Sequence, residues 1–304
     1  TSKIGQTGDR TYISSLDGGI SFYPGEQILL HYELEPWYVA DRYSVKFSST
    51  NPSVASVDET GKVTALKKGT ASITLRVDGS NLIASVKVTV NSEFIIENRT
   101  LVAYKGLGGD IVIPNDEGIL YIGAYAFCLY DTDRSIELTE DDYDANKIPA
   151  ANTTVRSVVI PDTVEEIQKY AFYNCSGLVS VTIPSTVKII REFAFAKDAK
   201  LSGVDLSHVE VIGREAFSGC SSLDTADLRG TYSIGVRAFN ECTSLKYVDL
   251  TDLRNAGEGA FRMCTSLREV VFGRRTRLAE SMFAMSAPLR SCCFISWCRR
   301  PIFI

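Results

Sequence analysis

A comb of phenylalanines spaced about 22 residues apart constrains this chain more than any other feature. Phe217, Phe239, Phe261 and Phe283 follow at steps of 22, and Phe195 and Phe172 precede them at steps of 22 and 23. Phe127 lies a further 45 residues back, a distance of about two steps. Ala stands before the Phe at Ala126, Ala171, Ala194, Ala216, Ala238 and Ala260. An apolar residue stands five before it, Ile in most units, and Gly often follows that residue, as at Gly213, Gly235 and Gly257. Leu178, Leu201, Leu223, Leu245, Leu267 and Leu289 come six after the Phe. Val181, Val204, Ala226, Val248 and Val270 follow, with Ile183, Leu206, Leu228, Leu250 and Phe272 two further on. Such self-similarity is the mark of stacked repeats. One unit cannot bury its Phe, Leu and Ile alone, whereas piled coils bury them in one continuous core. Full burial of each such side chain contributes roughly 1.5–3 kcal/mol.

The period lies in the range of leucine-rich repeats. Leu-x-x-Val-x-Leu alternates as a short strand with one buried face, and stacking such strands makes a parallel sheet. Ile-Gly-x-x-Ala-Phe-x-x-Cys has three- and four-residue spacing, which predicts a short helical turn on the opposite side. Cys175, Cys220, Cys242 and Cys264 all stand three after the Phe, where Asp198 and Ser286 take the slot in other units. A small inward residue fits there, so these read as buried thiols. A disulfide between neighbouring coils is the alternative, and no cysteine pair within one coil has the spacing of zinc ligands.

Residues 16–92 follow a different rhythm. "ILLHYEL", "YSVKFSS", "GKVTALKKG", "TASITLRVDG" and "ASVKVTV" are short alternating runs divided by Pro24-Gly25, Asn51-Pro52, Thr60-Gly61, Lys68-Gly69 and Asp78-Gly79. They predict a β-sandwich of about seven strands. The expected fold is therefore a β-rich multidomain chain, an Ig-like sandwich followed by a leucine-rich-repeat solenoid. Its parts are an N-terminal segment (1–15), the sandwich (16–92), the solenoid (93–290) and an atypical tail (291–304). No Gly/Ser-rich linker separates the two domains, which predicts a semi-rigid arrangement.

"IPDTVEEIQKYAFYNCSGLVSVTIPSTV" (160–187), "IGREAFSGCSSL" (212–223) and "CTSLKYVDL" (242–250) resemble the BspA-type leucine-rich repeats of bacterial surface proteins. "FIIENRTLVAYKGLGGDIVIP" (94–114) resembles the segment that precedes such repeats. "SSTNPSVASVDETGKVTALKKGTASITLRV" (48–77) resembles bacterial Ig-like domains of the second group. The first resemblance implies an extracellular or surface-attached protein concerned with adhesion, and the second a spacer that in some proteins also binds. The Asn expected eight after the first Leu of commoner leucine-rich repeats is absent, with Thr186, Val209, Thr231 and Leu253 in its place.

Catalytic chemistry is hard to assemble from these residues. The two histidines, His31 and His208, lack a triad or metal context, and "GLGGD" (106–110) lacks the Lys-Ser/Thr of a phosphate loop and reads as a turn. No enzyme activity, cofactor, metal site or nucleic-acid partner is expected. No apolar run approaches the roughly 20 residues of a membrane helix. The start, Thr1-Ser2-Lys3, has neither the basic opening nor the apolar core of a signal peptide, though a removed signal leaves the same start. The stretch 130–152 carries seven acids between Asp131 and Asp144 but no Gly for a calcium-loop bend, and reads as a solvated protruding loop. The net charge of -5 hides an asymmetry, since from Asp252 onward nine Arg face four acids. That basic end reads as a solvated face, with attraction of phosphate, sulfated glycan or an acidic partner as the alternative.

One column is a candidate site. The residue after the strand Val points outward, and it is Thr182, Asp205, Asp227, Asp249 and Val271 in successive coils. Gly203, Thr225, Tyr247 and Glu269 lie beside it. Aspartates stacked about 4.8 Å apart repel one another. The candidate ligand-binding set is Thr182, Asp205, Asp227, Tyr247, Asp249 and Glu269, taking a cation or a basic patch of a partner, with a solvated acidic sheet as the alternative. The tail "RSCCFISWCRRPIFI" (290–304) breaks the comb and suits a flap over the solenoid end. The expected function is non-enzymatic recognition of an extracellular protein or glycan at the cell surface or after secretion. Its rival is a scaffold or accessory module of a surface enzyme with no ligand of its own.

Overall fold

The computed structural model describes residues 2–5, 12–15, 19–30, 32, 44–79, 81–129, 150–277, 279, 281–286 and 291–294. His31, most of the acidic stretch 130–152, Leu278, Leu289 and the tail beyond Phe294 lie outside the described residues. The chain divides into two compact units, Thr1–Phe94 with Lys105–Leu107, and Ile95–Tyr104 with Gly108–Ile304.

The first unit contains the sandwich. One sheet orders Ile20–Phe22, Ile83–Val90, Gly69–Val77 and Val45–Ser49, and the other orders Gln27–Leu29, Lys62–Ala65 and Ala55–Val57. Period-two alternation turns Ala71, Ile73, Leu75 and Val77 of one strand inward, Ala71 and Ile73 packing with Val63, Ala65 and Val88, and Leu75 and Val77 with Ala84, Val45 and Leu82. At the turn before Lys62, the Asp58 carboxylate accepts the N–H groups of Thr60 and Lys62. The Thr60 hydroxyl, also donating to it, does most to hold that carboxyl below its ordinary range. A separate antiparallel pair joins Ser2–Gly5 to Tyr12–Ser15.

The second unit is a solenoid with two ladders of strands. The long-strand ladder runs Gly109–Val112, Val155–Val159, Ser180–Thr182, Gly203–Asp205, Thr225–Asp227, Tyr247–Leu250, Glu269–Phe272 and Ser291–Phe294, all parallel. The second ladder continues from Thr100–Tyr104 through two-residue strands such as Val211–Ile212 and Ser233–Ile234, also parallel. Between the ladders the comb residues fill the core. Phe127, Phe172, Phe195, Phe217, Phe239 and Phe261 are buried, with Phe283 at the edge of burial. Their rings stack nearly parallel, with centroids 4.5 Å apart at Phe127–Phe172, rising to 5.2 Å at Phe239–Phe261 and 5.6 Å at Phe261–Phe283. Tyr104 caps the stack on Phe127 at 5.3 Å.

Phe127 corrects the expected spacing. Its ring and its N–H, bonded to the Ala171 carbonyl, meet the very next coil. The 45 residues to Phe172 are one coil with an insertion, not two coils, because Val155–Val159 pairs directly with both Gly109–Val112 and Ser180–Thr182.

The expected helical turns are replaced by another bonding scheme, and among the described residues there is no helix. The N–H groups of Phe193, Phe195 and Lys197 donate to the carbonyls of Arg214, Ala216 and Ser218 in the next coil. Those of the alternating Ala194, Ala196 and Asp198 donate three residues back within their own coil. Such alternation requires breaks in right-handed winding. The residue two before the Phe is left-handed in every coil, from Tyr125 (φ 60°) through Glu215 (φ 50°) to Ser281 (φ 55°). The residue two after is left-handed from Asn174 to Met285. Each non-glycine residue there costs roughly 1–2 kcal/mol, which the inter-coil bonds and core burial offset. The three-residue spacing read as helical is the spacing of these turns.

The thiols of Cys175, Cys220, Cys242 and Cys264 are buried and free of disulfides. Each donates to the Phe carbonyl of the preceding coil: Cys220 to Phe195 (3.2 Å), Cys242 to Phe217 (3.3 Å) and Cys264 to Phe239 (3.2 Å). Ser286 does the same to Phe261 with its hydroxyl at 2.7 Å. Burial pushes the Cys264 thiol up to about 12 and the Cys220 and Cys242 thiols well above their ordinary value. Asp198 breaks this column. It is fully buried, and neither carboxyl oxygen has a hydrogen-bond partner among the described residues. Desolvation pushes the Asp198 carboxyl well above the ordinary carboxylate range, so the folded state keeps its proton at pH values where a free carboxyl has lost it.

Two outcomes follow from this core. Phe217→Ala should lower unfolding free energy by about 3–5 kcal/mol in urea titration, because neighbours on both sides of the cavity are held by the stack. Asp198→Ser should be more stable than the wild type, by a margin that grows with pH. Above its ordinary value of 3.8 the unfolded carboxyl ionises while the folded one does not, so the wild type loses stability as pH rises. Urea titrations at pH 4, 6 and 8 check this, and a constant margin would refute it.

Candidate recognition face

On the long-strand ladder Val181, Val204, Ala226, Val248 and Val270 point inward and are buried. Their neighbours point outward, with Thr182, Asp205, Thr225, Tyr247 and Glu269 exposed and Asp227 and Asp249 half-buried. The backbone register sets Asp205 opposite Asp227, and Tyr247 opposite both Thr225 and Glu269. Asp249 lies opposite Val271. All six candidate residues therefore lie along one sheet, with Thr182 at its earlier end, two coils from Asp227.

The repulsion expected in the column is met by local bonds. Asp205 accepts the N–H of Ser207 at 3.0 Å, Asp227 that of Arg229 at 3.2 Å, and Asp249 that of Thr251 at 3.0 Å. Each aspartate closes a tight turn at the end of its strand, the ordinary use of an Asp side chain two residues before a free N–H. Asp227 also takes the Arg229 guanidinium in a forked pair, with Nε at 2.9 Å from Oδ1. Arg229 occupies the place that a bound cation was expected to fill beside this aspartate. The Ser207 hydroxyl and N–H hold the Asp205 carboxyl below its ordinary range, and Arg229 does so for Asp227. Partial burial, with the charges of Asp249 and Glu269, raises Tyr247, so its hydroxyl stays protonated at neutral pH.

Thr225, Asp227, Arg229, Tyr247 and Asp249 line a shallow depression of about 310 Å³. The Tyr247 side chain beside it is 41% exposed. Arg229 was missed from sequence because only strand positions were compared across coils. The signal was present in Asp-Leu-Ser (205–207), Asp-Leu-Arg (227–229) and Asp-Leu-Thr (249–251), where the third residue is the turn partner. His208 is exposed, and its backbone carbonyl accepts from Lys188. Among the described residues no three His, Cys, Asp or Glu groups are placed to hold a metal ion.

Two family models match the chain. The BspA type leucine-rich repeat region matches residues 150–268 and 207–299, in six copies, and the bacterial Ig-like domain of group 2 matches residues 25–91. The repeat region, residues 150–299, belongs to the BspA-type leucine-rich repeat family. Short stretches of the BspA-type chain also match curated proteins. An uncharacterized protein of Clostridium acetobutylicum is 52% identical over 56 residues, 18% of this chain and 14% of that protein. The polysaccharide lyase 8 family protein HylA of Enterococcus faecalis is 37% identical over 49 residues, 16% of this chain and 4% of that protein. The matches thus span a small part of either relative's length. Among solved structures, the T. pallidum leucine-rich repeat protein is 26% identical, with a TM-score of 0.46, over 57% of this chain and 77% of that one. A leucine-rich repeat solenoid is an interaction architecture, presenting an extended surface built by repetition.

The turn bonds make a stability prediction. Asn at positions 205 and 227 keeps an acceptor for the turn N–H but removes the charge. Both wild-type carboxyls lie below the ordinary 3.8, so their stabilisation is present at neutral pH and disappears as the pH falls through the lowered values. The wild type's advantage over Asp205→Asn/Asp227→Asn should be greatest near pH 6–7, about 0.2–1 kcal/mol for groups at the surface, and shrink as the pH falls below 3.8 in urea titrations.

Proposed function

We propose that this chain is a non-enzymatic recognition module, displayed at the cell surface or secreted, that binds an extracellular protein or glycan through the outward face of the long-strand ladder. The observation that carries this reading is the depression between Thr225, Asp227, Arg229, Tyr247 and Asp249. A half-open tyrosine ring and a guanidinium already fixed by its carboxylate stand together there, and Tyr and Arg are the side chains on which binding energy concentrates at interfaces. Fixing Arg229 before binding reduces the entropy lost when a partner docks. Family membership supports surface display, and the Ig-like unit suits a spacer. The rival, a scaffold without a ligand, draws on the fact that each column aspartate is satisfied within its own turn.

The full chain, presented to an array of extracellular-matrix proteins and glycans, should capture a ligand. Tyr247→Ala should weaken that capture at least about tenfold, the effect of losing a central aromatic anchor, while leaving the unfolding midpoint unchanged. Capture of nothing across the array, with the protein found on intact cells by surface proteolysis, would favour the scaffold.

A further inference from the structure

A second concavity lies where the loops after three successive long strands meet. It encloses about 540 Å³ and is lined by Tyr232, Asp252, Arg254, Gly273, Arg274 and Arg275, among others. It shares no lining residue with the depression on the sheet face. Three exposed guanidiniums face one carboxylate here, and Asp252 is already engaged by the N–H of Gly230 at 3.3 Å. Arg156, Arg191, Arg214 and Arg229 of the same solenoid each pair with a carboxylate. Among the described residues Arg254, Arg274 and Arg275 have none within ion-pair distance. Positive charge gathered in a cleft, with no carboxylate among the described residues paired to it, attracts anions and holds them by forked hydrogen bonds.

The shape narrows the class of anion. Coil packing forbids side chains on part of the floor, since a Cβ on Gly230 would lie 2.4 Å from the Ser207 carbonyl oxygen and one on Gly273 1.8 Å from that of Thr251. The floor there is bare backbone. Beside it stands the Tyr232 ring, 37% exposed, with the Arg254 guanidinium 5.8 Å from its centroid. The Gly273 N–H is committed to the Leu250 carbonyl, as the N–H of Arg254 is to that of Tyr232, so these groups are not free to pair with an added peptide strand. The cleft crosses three coils, a span on the order of 10 Å along the axis. A backbone floor, a partly exposed aromatic ring with one guanidinium over it and two further guanidiniums beside it suit a sugar chain carrying carboxylates.

We propose that this cleft is a binding site for a uronate-bearing polysaccharide, with carboxylates on Arg254, Arg274 and Arg275 and a sugar ring against Tyr232. The proposal rests on the solenoid being a recognition module but not on the sheet face, so the two can fail separately. The test is calorimetric titration of the full chain with polygalacturonate, its methyl ester and poly-glutamate, at about 50 mM salt, where screening is weak. Polygalacturonate should bind and the ester should not. Arg274→Gln/Arg275→Gln should weaken binding at least about tenfold and Tyr232→Ala several-fold, each with an unchanged unfolding midpoint, while Tyr247→Ala should have no effect. No binding, or binding that survives the double arginine change, overturns the site. Poly-glutamate bound as tightly and without dependence on Tyr232 overturns the sugar in favour of an acidic protein. Loss on Tyr247→Ala instead transfers the ligand to the sheet face.

Discussion

The repeat distance between coils, close to 5 Å, is the constraint on which the rest of the solenoid depends. Phenylalanine rings stacked at 4.9–5.2 Å through the middle coils set that distance from inside. Strand pairing demands nearly the same spacing from outside. The two requirements agree only if the residues around each ring are small and the backbone comes very close. Gly257 shows how close, since a Cβ there would lie 2.2 Å from the Val236 nitrogen of the preceding coil. The left-handed residues flanking each Phe from Phe172 to Phe283 serve the same end by turning alternate N–H groups toward the neighbouring coil.

Repetition also explains why polar groups recur in columns. A donor three after the Phe meets the previous Phe carbonyl in coil after coil, and a thiol and a hydroxyl do this equally well at Cys220 and Ser286. Asp198 has the right size for the slot but not the right chemistry, and its carboxyl is left protonated and unbonded. On the surface the same repetition sets aspartates side by side. The turn after each strand then supplies the N–H that makes the arrangement tolerable. Loops just beyond those turns carry the arginines of the cleft, so an acidic strip and a basic one lie in neighbouring layers of the same coils.

Much of this was legible from residue spacing. The comb located the buried Phe, Ala, Leu and Ile, and the shared slot of Cys175, Cys220, Cys242 and Cys264 pointed to buried thiols. Two readings failed where one pattern fits two conformations. Three-residue spacing belongs to a helix and equally to a chain of turns broken by left-handed residues. Forty-five residues between Phe127 and Phe172 equal two coils or one coil with an insertion. Aspartates in register do repel, as Asp227 does Asp205, and spacing could not show the hydrogen bonds from two residues along that offset it.

The sequence by itself determined the two domains' fold classes, the stacking of coils and which side chains enter the core, because burial follows a fixed period and a period can be read without coordinates. The tertiary structure alone decided which polar groups are partnered. Arg229 and Arg275 are both exposed arginines after a long strand, but one is held by Asp227 and the other faces an open cleft. That difference depends on distances between coils and on the direction of each turn, which linear spacing does not carry.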